Sequence, residues 1–113
     1  MEEIIQMALL GSAEVQIPAV QWGEIAGVQR KRFGAQEQKR ALQSLLQIDI
    51  KVVPASAERA ERAAEIKVDR KLAFADAFAI ELAMDSPDHL LVTADYDFKD
   101  VADLAQIEFL PAK

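Results

Sequence analysis

The chain has 113 residues, 51% of them hydrophobic, with no cysteine and one histidine, His89, enough for one domain's core and too few for a large two-domain enzyme. That composition excludes disulfide scaffolds, zinc–thiolate sites, iron–sulfur clusters, cysteine nucleophiles and a zinc site built on several imidazoles. The formal net charge of −6 argues against tight, sequence-independent nucleic-acid binding by the chain as a whole.

The N-terminus, Met1-Glu2-Glu3, is acidic where a secretory signal carries positive charge. No apolar run approaches the ~18–20 residues of a membrane span. A cytoplasmic location and a single domain over residues 1–113 are expected.

In chain order, Ile4, Ile5, Ala8 and Leu9 fall at helical spacing within 2–10, and Gly11 suits a helix end. Val15-Gln16-Ile17 reads as a short strand stopped by Pro18, whose fixed φ and missing N–H suit the first turn of the helix that follows. That helix runs to Phe33 with Val20, Ile25 and Val28 on its apolar side, and Gly34 closes it. A second amphipathic helix spans 35–47, with Leu42, Leu45, Leu46 and Ile48 as its apolar set. Ile50-Lys51-Val52-Val53, ended by Pro54, reads as the second strand.

Ser56 is a candidate N-cap for a charged helix to about Lys67. Phe74 to Met84 is a strongly apolar helix that nevertheless contains Asp76 and Glu81. The clearest buried strand is His89 to Thr93, followed by Asp95-Tyr96-Asp97-Phe98, a short helix around 99–104 and a last strand at Ile107–Leu110. Strands alternating with helices point to an α/β domain around a mostly parallel sheet.

Charge is unevenly distributed. Residues 1–29 carry four acids and no base, residues 30–71 carry eleven bases and six acids, and residues 72–113 carry two bases and nine acids. Arg30, Lys31 and Arg32 stand in a row in the basic third. Solvated helix faces account for such runs. So does a cationic rim beside an anionic centre, the arrangement needed to hold a phosphodiester over metal-binding carboxylates.

The chemistry must rest on carboxylates. The four glycines, at 11, 23, 27 and 34, form no phosphate loop, and any histidine-based triad would depend on His89 at the start of an apolar strand. Three acids are locally awkward. Glu24 lies in an uncharged stretch, Asp76 among alanines and phenylalanines, and Asp95 directly after the buried strand. Each also has an ordinary explanation: Glu24 facing solvent, Asp76 favoured by a helix dipole, Asp95 capping a turn. If they converge, they suit a hard cation such as Mg²⁺ or Mn²⁺, which takes oxygen ligands and keeps several waters. Such an ion polarises a phosphoryl oxygen and generates hydroxide near neutral pH.

The stretches Leu72-Ala73-Phe74-Ala75-Asp76-Ala77-Phe78-Ala79 and Leu91-Val92-Thr93-Ala94-Asp95-Tyr96-Asp97-Phe98 resemble the C-terminal half of a PIN domain. Ile17-Pro18-Ala19-Val20 leading to Gly23-Glu24-Ile25 resembles that family's strand and acid-bearing helix, and Ile107-Glu108-Phe109-Leu110 its last strand. The resemblance implies a PIN-like α/β/α sandwich and a small Mg²⁺- or Mn²⁺-dependent ribonuclease of the kind that includes VapC-type toxins. It implies Glu24, Asp76 and Asp95 as catalytic metal-binding acids and Asp97 as an auxiliary metal ligand. Thr93, Arg30, Lys31 and Arg32 are the expected substrate-binding residues. The implied partners are an RNA substrate, an antitoxin protein and a second copy of the chain.

The family's pattern opens with a central strand ending in an aspartate, as in Leu-Asp-Thr, and this sequence has no such segment. Its absence removes one metal ligand and leaves a slot beside strands 15–17 and 90–93, so oligomerisation is expected, since unpaired strand edges are sticky. The alternative that follows is a degenerate, non-catalytic PIN-like module that binds a protein or RNA partner.

Overall fold

A computed structural model describes residues 14–48, 50–93 and 95–110. The chain divides into two compact units, residues 1–54 and 55–113. The helix expected over 2–10 lies outside the described residues.

In the first unit, strand β1 (Val15–Pro18) pairs in parallel with β2 (Ile50–Val53), Val15 opposite Ile50 and Pro18 opposite Val53. Both are short runs rich in β-branched residues, which fit a half-buried pleated surface. A parallel pair needs a long crossover, and helix α1 (Ala19–Gln47) supplies it. Pro18, expected in the first helical turn, instead ends β1 and serves as the N-cap of α1, with φ −60 and ψ 143. It needs no ladder partner for an N–H it lacks.

Helix α1 is broken at Gly34, whose φ of 86 and ψ of 177 lie in a region open essentially to glycine alone. The two arms correspond to the two helices read from the sequence. Beyond the adjoining residues and the helix's own backbone, nothing lies within 4 Å of where a Cβ on Gly34 would stand, so the backbone angle, and not lack of space, requires the glycine. Gln38 Nε2 donates to the carbonyl of Ala26 at 2.9 Å and ties the arms together. No residue of α1 is fully buried.

In the second unit, Ser56 caps α2 (Ala57–Arg70), its Oγ accepting from the Arg59 amide at 3.2 Å. The helix runs one turn beyond the expected end at Lys67. Lys67 and Arg70 in its last turn complement the dipole, and Lys71 closes it in the left-handed conformation, φ 58 and ψ 46. Helix α3 (Phe74–Met84) has the expected limits, and Ala77 to Ala83 are all buried. A helix apolar on every side can only be stable with neighbours all round it.

Strand β3 (Leu91–Thr93) pairs in parallel with β4 (Ile107–Phe109), Leu91 opposite Ile107 and Thr93 opposite Phe109. Each of the two ladders has two strands. The short helix expected at 99–104 is a 3₁₀ helix at Tyr96–Val101, three residues earlier, because Asp95 provides its cap. Three residues per turn put Phe98 and Val101 on one side. There they meet Ile80 of α3 to form the core, with Ile66, Leu72, Leu91, Leu104, Ile107 and Phe109 packed around it. The described residues thus form an α/β fold with parallel strands and three α-helices.

Candidate metal-dependent nuclease site

Asp76 sits in the first turn of α3, half-buried. The N-cap of that helix is Ala73, whose side chain accepts no hydrogen bond. The dipole of the helix favours an acid three residues into it. The same dipole favours any anion or oxygen-rich group brought to that turn.

Asp95 follows the carboxyl end of β3, the end of a parallel strand at which α/β proteins bind ligands. Two successive side-chain bonds shape the turn. Thr93 Oγ1 accepts from the Asp95 amide at 3.0 Å, and Asp95 Oδ1 accepts from the Asp97 amide at 2.9 Å. Asp95 is exposed and caps the 3₁₀ helix; Asp97, in its first turn, is also exposed. The ordinary capping explanation for Asp95 is thus observed, and it coexists with a carboxylate held in one orientation. Thr93, expected to bind substrate, spends an oxygen lone pair on positioning the Asp95 backbone, while its O–H proton remains a donor.

In the first unit, Glu24 lies exposed on the first arm of α1, and Arg30, Lys31 and Arg32 are exposed on the same arm. These are all-oxygen acids and solvated cations, the right chemistry for a hydrated Mg²⁺ or Mn²⁺ and for phosphate oxygens. Among the described residues no three Asp, Glu or His side chains are gathered closely enough to enclose an ion. In type, the donors suit a water-rich ion held by one or two carboxylates and completed by substrate phosphate.

His89 has a structural position. Its Nδ1 lies 2.7 Å from the carbonyl of Leu82, so the ring donates there and secures the turn after α3.

Sequence reading had no partner for Glu81. It is 4% exposed on α3 and takes hydrogen bonds from two guanidinium groups of α2. Arg59 Nη1 lies 2.8 and 3.1 Å from its two oxygens, and Arg62 Nε lies 3.1 Å from Oε2. Arg59 also donates from Nη2 to Asp85 Oδ2 at 3.0 Å. The hydrogen bond with Glu81, reinforced by Asp85, raises the Arg59 pKa. In turn, Arg59 holds the Asp85 carboxyl below the usual range. The available signal was an acid in an apolar helix, which demands a cation, together with two arginines three apart on the preceding helix. A second fork joins Arg70 to Asp103 and to the carbonyl of Asp100, lowering the Asp103 pKa through the Arg70 hydrogen bond.

No helix among the described residues is long and apolar enough to cross a membrane. No curated protein and no solved structure matches the chain. The family model described as "PIN domain" matches residues 2–104. With the parallel strands, three helices and carboxylates at a helix start and a strand end, that match means that the chain belongs to the PIN domain family, a family of metal-dependent nucleases.

Proposed function

We propose that this chain is a Mg²⁺- or Mn²⁺-dependent endoribonuclease, the toxin of a toxin–antitoxin pair, acting as a homo-oligomer. The observation that carries the reading is the pair of acids at chemically apt positions. Asp76 lies in the first turn of a buried helix, and Asp95 lies just past the end of a parallel strand, held by Thr93 and Asp97. Asp76 and Asp95 would hold the ion, with Asp97 as an auxiliary ligand. Bound there, a hard divalent cation supplies Lewis acidity and an activated water.

The chain's own residues do the rest. Thr93 keeps the Asp95 turn in place and offers its hydroxyl proton to a phosphate oxygen. Arg30, Lys31 and Arg32 neutralise backbone phosphates, a contribution that weakens as salt rises. The test is hydrolysis of a single-stranded RNA by the chain with Mn²⁺, with EDTA, and as Asp76→Asn. Cleavage that needs both the ion and Asp76 supports the reading; cleavage that persists in Asp76→Asn, or no cleavage by folded protein, overturns it.

A second reading, a non-catalytic module that binds its partner, draws on the Asp95 carboxylate already serving as a cap. It expects no turnover, and association that survives Asp76→Asn.

A further inference from the structure

Between the two arms of α1 lies a groove of about 340 Å³, lined by Gln29 and Phe33 from the first arm and by Glu37, Arg40, Ala41 and Ser44 from the second. We propose that this groove is a base-stacking site for single-stranded RNA, with Phe33 as its platform. The proposal rests on the reading of RNA as the partner and deepens it by naming a contact for the bases.

Phe33 is 58% exposed, and Gly34 ends the first arm directly after it. Leaving an aromatic ring this wet forgoes much of the benefit of burying it. Gln29 and Arg30 stand four and three residues earlier on the same helix, the spacing that brings side chains alongside one another. Residues 29–44 contain five cations, Arg30, Lys31, Arg32, Lys39 and Arg40, against the single acid Glu37, in a chain whose net charge is −6. All five cations are exposed.

An aromatic face beside a track of cations is how sequence-tolerant single-strand binders work: the ring stacks a base and the cations follow the backbone. Among the described residues the Arg40 side chain is paired with Glu37, at 3.2 Å, with side chains 72% and 52% exposed. A pair so exposed is worth little, so Arg40 can turn to a phosphate at small cost. The lining favours RNA over an apolar protein partner. Of its six residues only Phe33 and Ala41 are apolar, whereas a protein-docking core is depleted in charge.

The experiment is fluorescence anisotropy of a short fluorescein-labelled oligouridylate titrated with the full chain as Asp76→Asn in EDTA, where cleavage cannot interfere. In that background Phe33→Ala should weaken binding about 5- to 100-fold, and Phe33→Trp should retain it. Fully duplex RNA, whose bases are already stacked, should respond little to either change. Unchanged affinity in Phe33→Ala, an equal loss in Phe33→Trp, or an equal loss on duplex RNA overturns the proposal. So does a change in oligomeric state on Phe33→Ala with RNA affinity intact, which assigns the face to a protein contact. The outcome is separable from that of the nuclease reading. Phe33-dependent binding without metal-dependent cleavage removes only the latter, and cleavage with Phe33-independent binding removes only the former.

Discussion

A single terminal nitrogen of Arg59 lies 2.8 Å from one carboxylate oxygen of Glu81 and 3.1 Å from the other. That contact joins α2 to α3, the helix that carries Asp76 in its first turn. Glu81 is 4% exposed, so its charge is tolerated only because Arg59 and Arg62 supply hydrogen bonds and positive charge together.

Removing one partner from a buried pair costs more than the pair contributes, because a desolvated charge is left behind. Arg59→Ala is therefore expected to lower unfolding free energy by about 2–4 kcal/mol. Arg62→Ala should cost about 1 kcal/mol or less, since that side chain is 51% exposed. Urea unfolding of both variants checks the order; equal losses would mean that Arg59 is not the principal partner.

Asp85 gives stability a defined pH dependence. Its folded pKa is lowered, first by the Arg59 hydrogen bond and then by that group's charge. As pH falls through the unfolded value of about 3.9, the unfolded chain takes up its proton first. The contribution is thus complete above that pH and is lost as pH falls through the lower, folded value. Asp85→Asn should flatten the acid limb of a plot of urea midpoint against pH below about pH 4. An acid limb of unchanged steepness would place the linkage elsewhere, for example at Asp103, whose carboxyl is also lowered.

Asp95 has two duties that substitution can separate. Asparagine offers the same acceptor to the Asp97 amide but no charge; alanine offers neither. Asp95→Asn should leave stability within about 0.5 kcal/mol of the parent, and Asp95→Ala should lose about 1 kcal/mol. Mn²⁺ binding, followed by calorimetry, should weaken in both. If Asp95→Asn holds Mn²⁺ as well as the parent, Asp95 is a cap and not a ligand.

Gly34→Ala tests the break in α1. An alanine Cβ would meet nothing within 4 Å beyond the adjoining residues and the helix's own backbone, so its effect is conformational. A non-glycine residue held at φ 86 and ψ 177 is expected to cost about 1–3 kcal/mol. Thermal or urea unfolding reads this directly. No loss would mean that the arms join without needing that backbone angle.

The four strands of the described residues were legible in the sequence because short β-branched runs bounded by proline or polar residues have few other uses: 15–17, 50–53, 89–93 and 107–110 are observed within a residue or two. Gly34 and Ser56 likewise announced a helix end and a helix start, since both act through local backbone chemistry. Local signals misplaced the last short helix, whose position depends on the Asp95 side chain choosing the Asp97 amide. The partners of Glu81 were decided only by tertiary structure. Period and propensity say which face of a helix is buried, but not which arginine, 19 or 22 residues away, the packing of α2 on α3 will bring to that carboxylate. The division holds for the candidate site as well: sequence pattern named Asp76 and Asp95, because one stands at a helix start and the other directly after a strand. That Thr93 steadies the Asp95 turn rests on a 3.0 Å contact that only the folded chain creates.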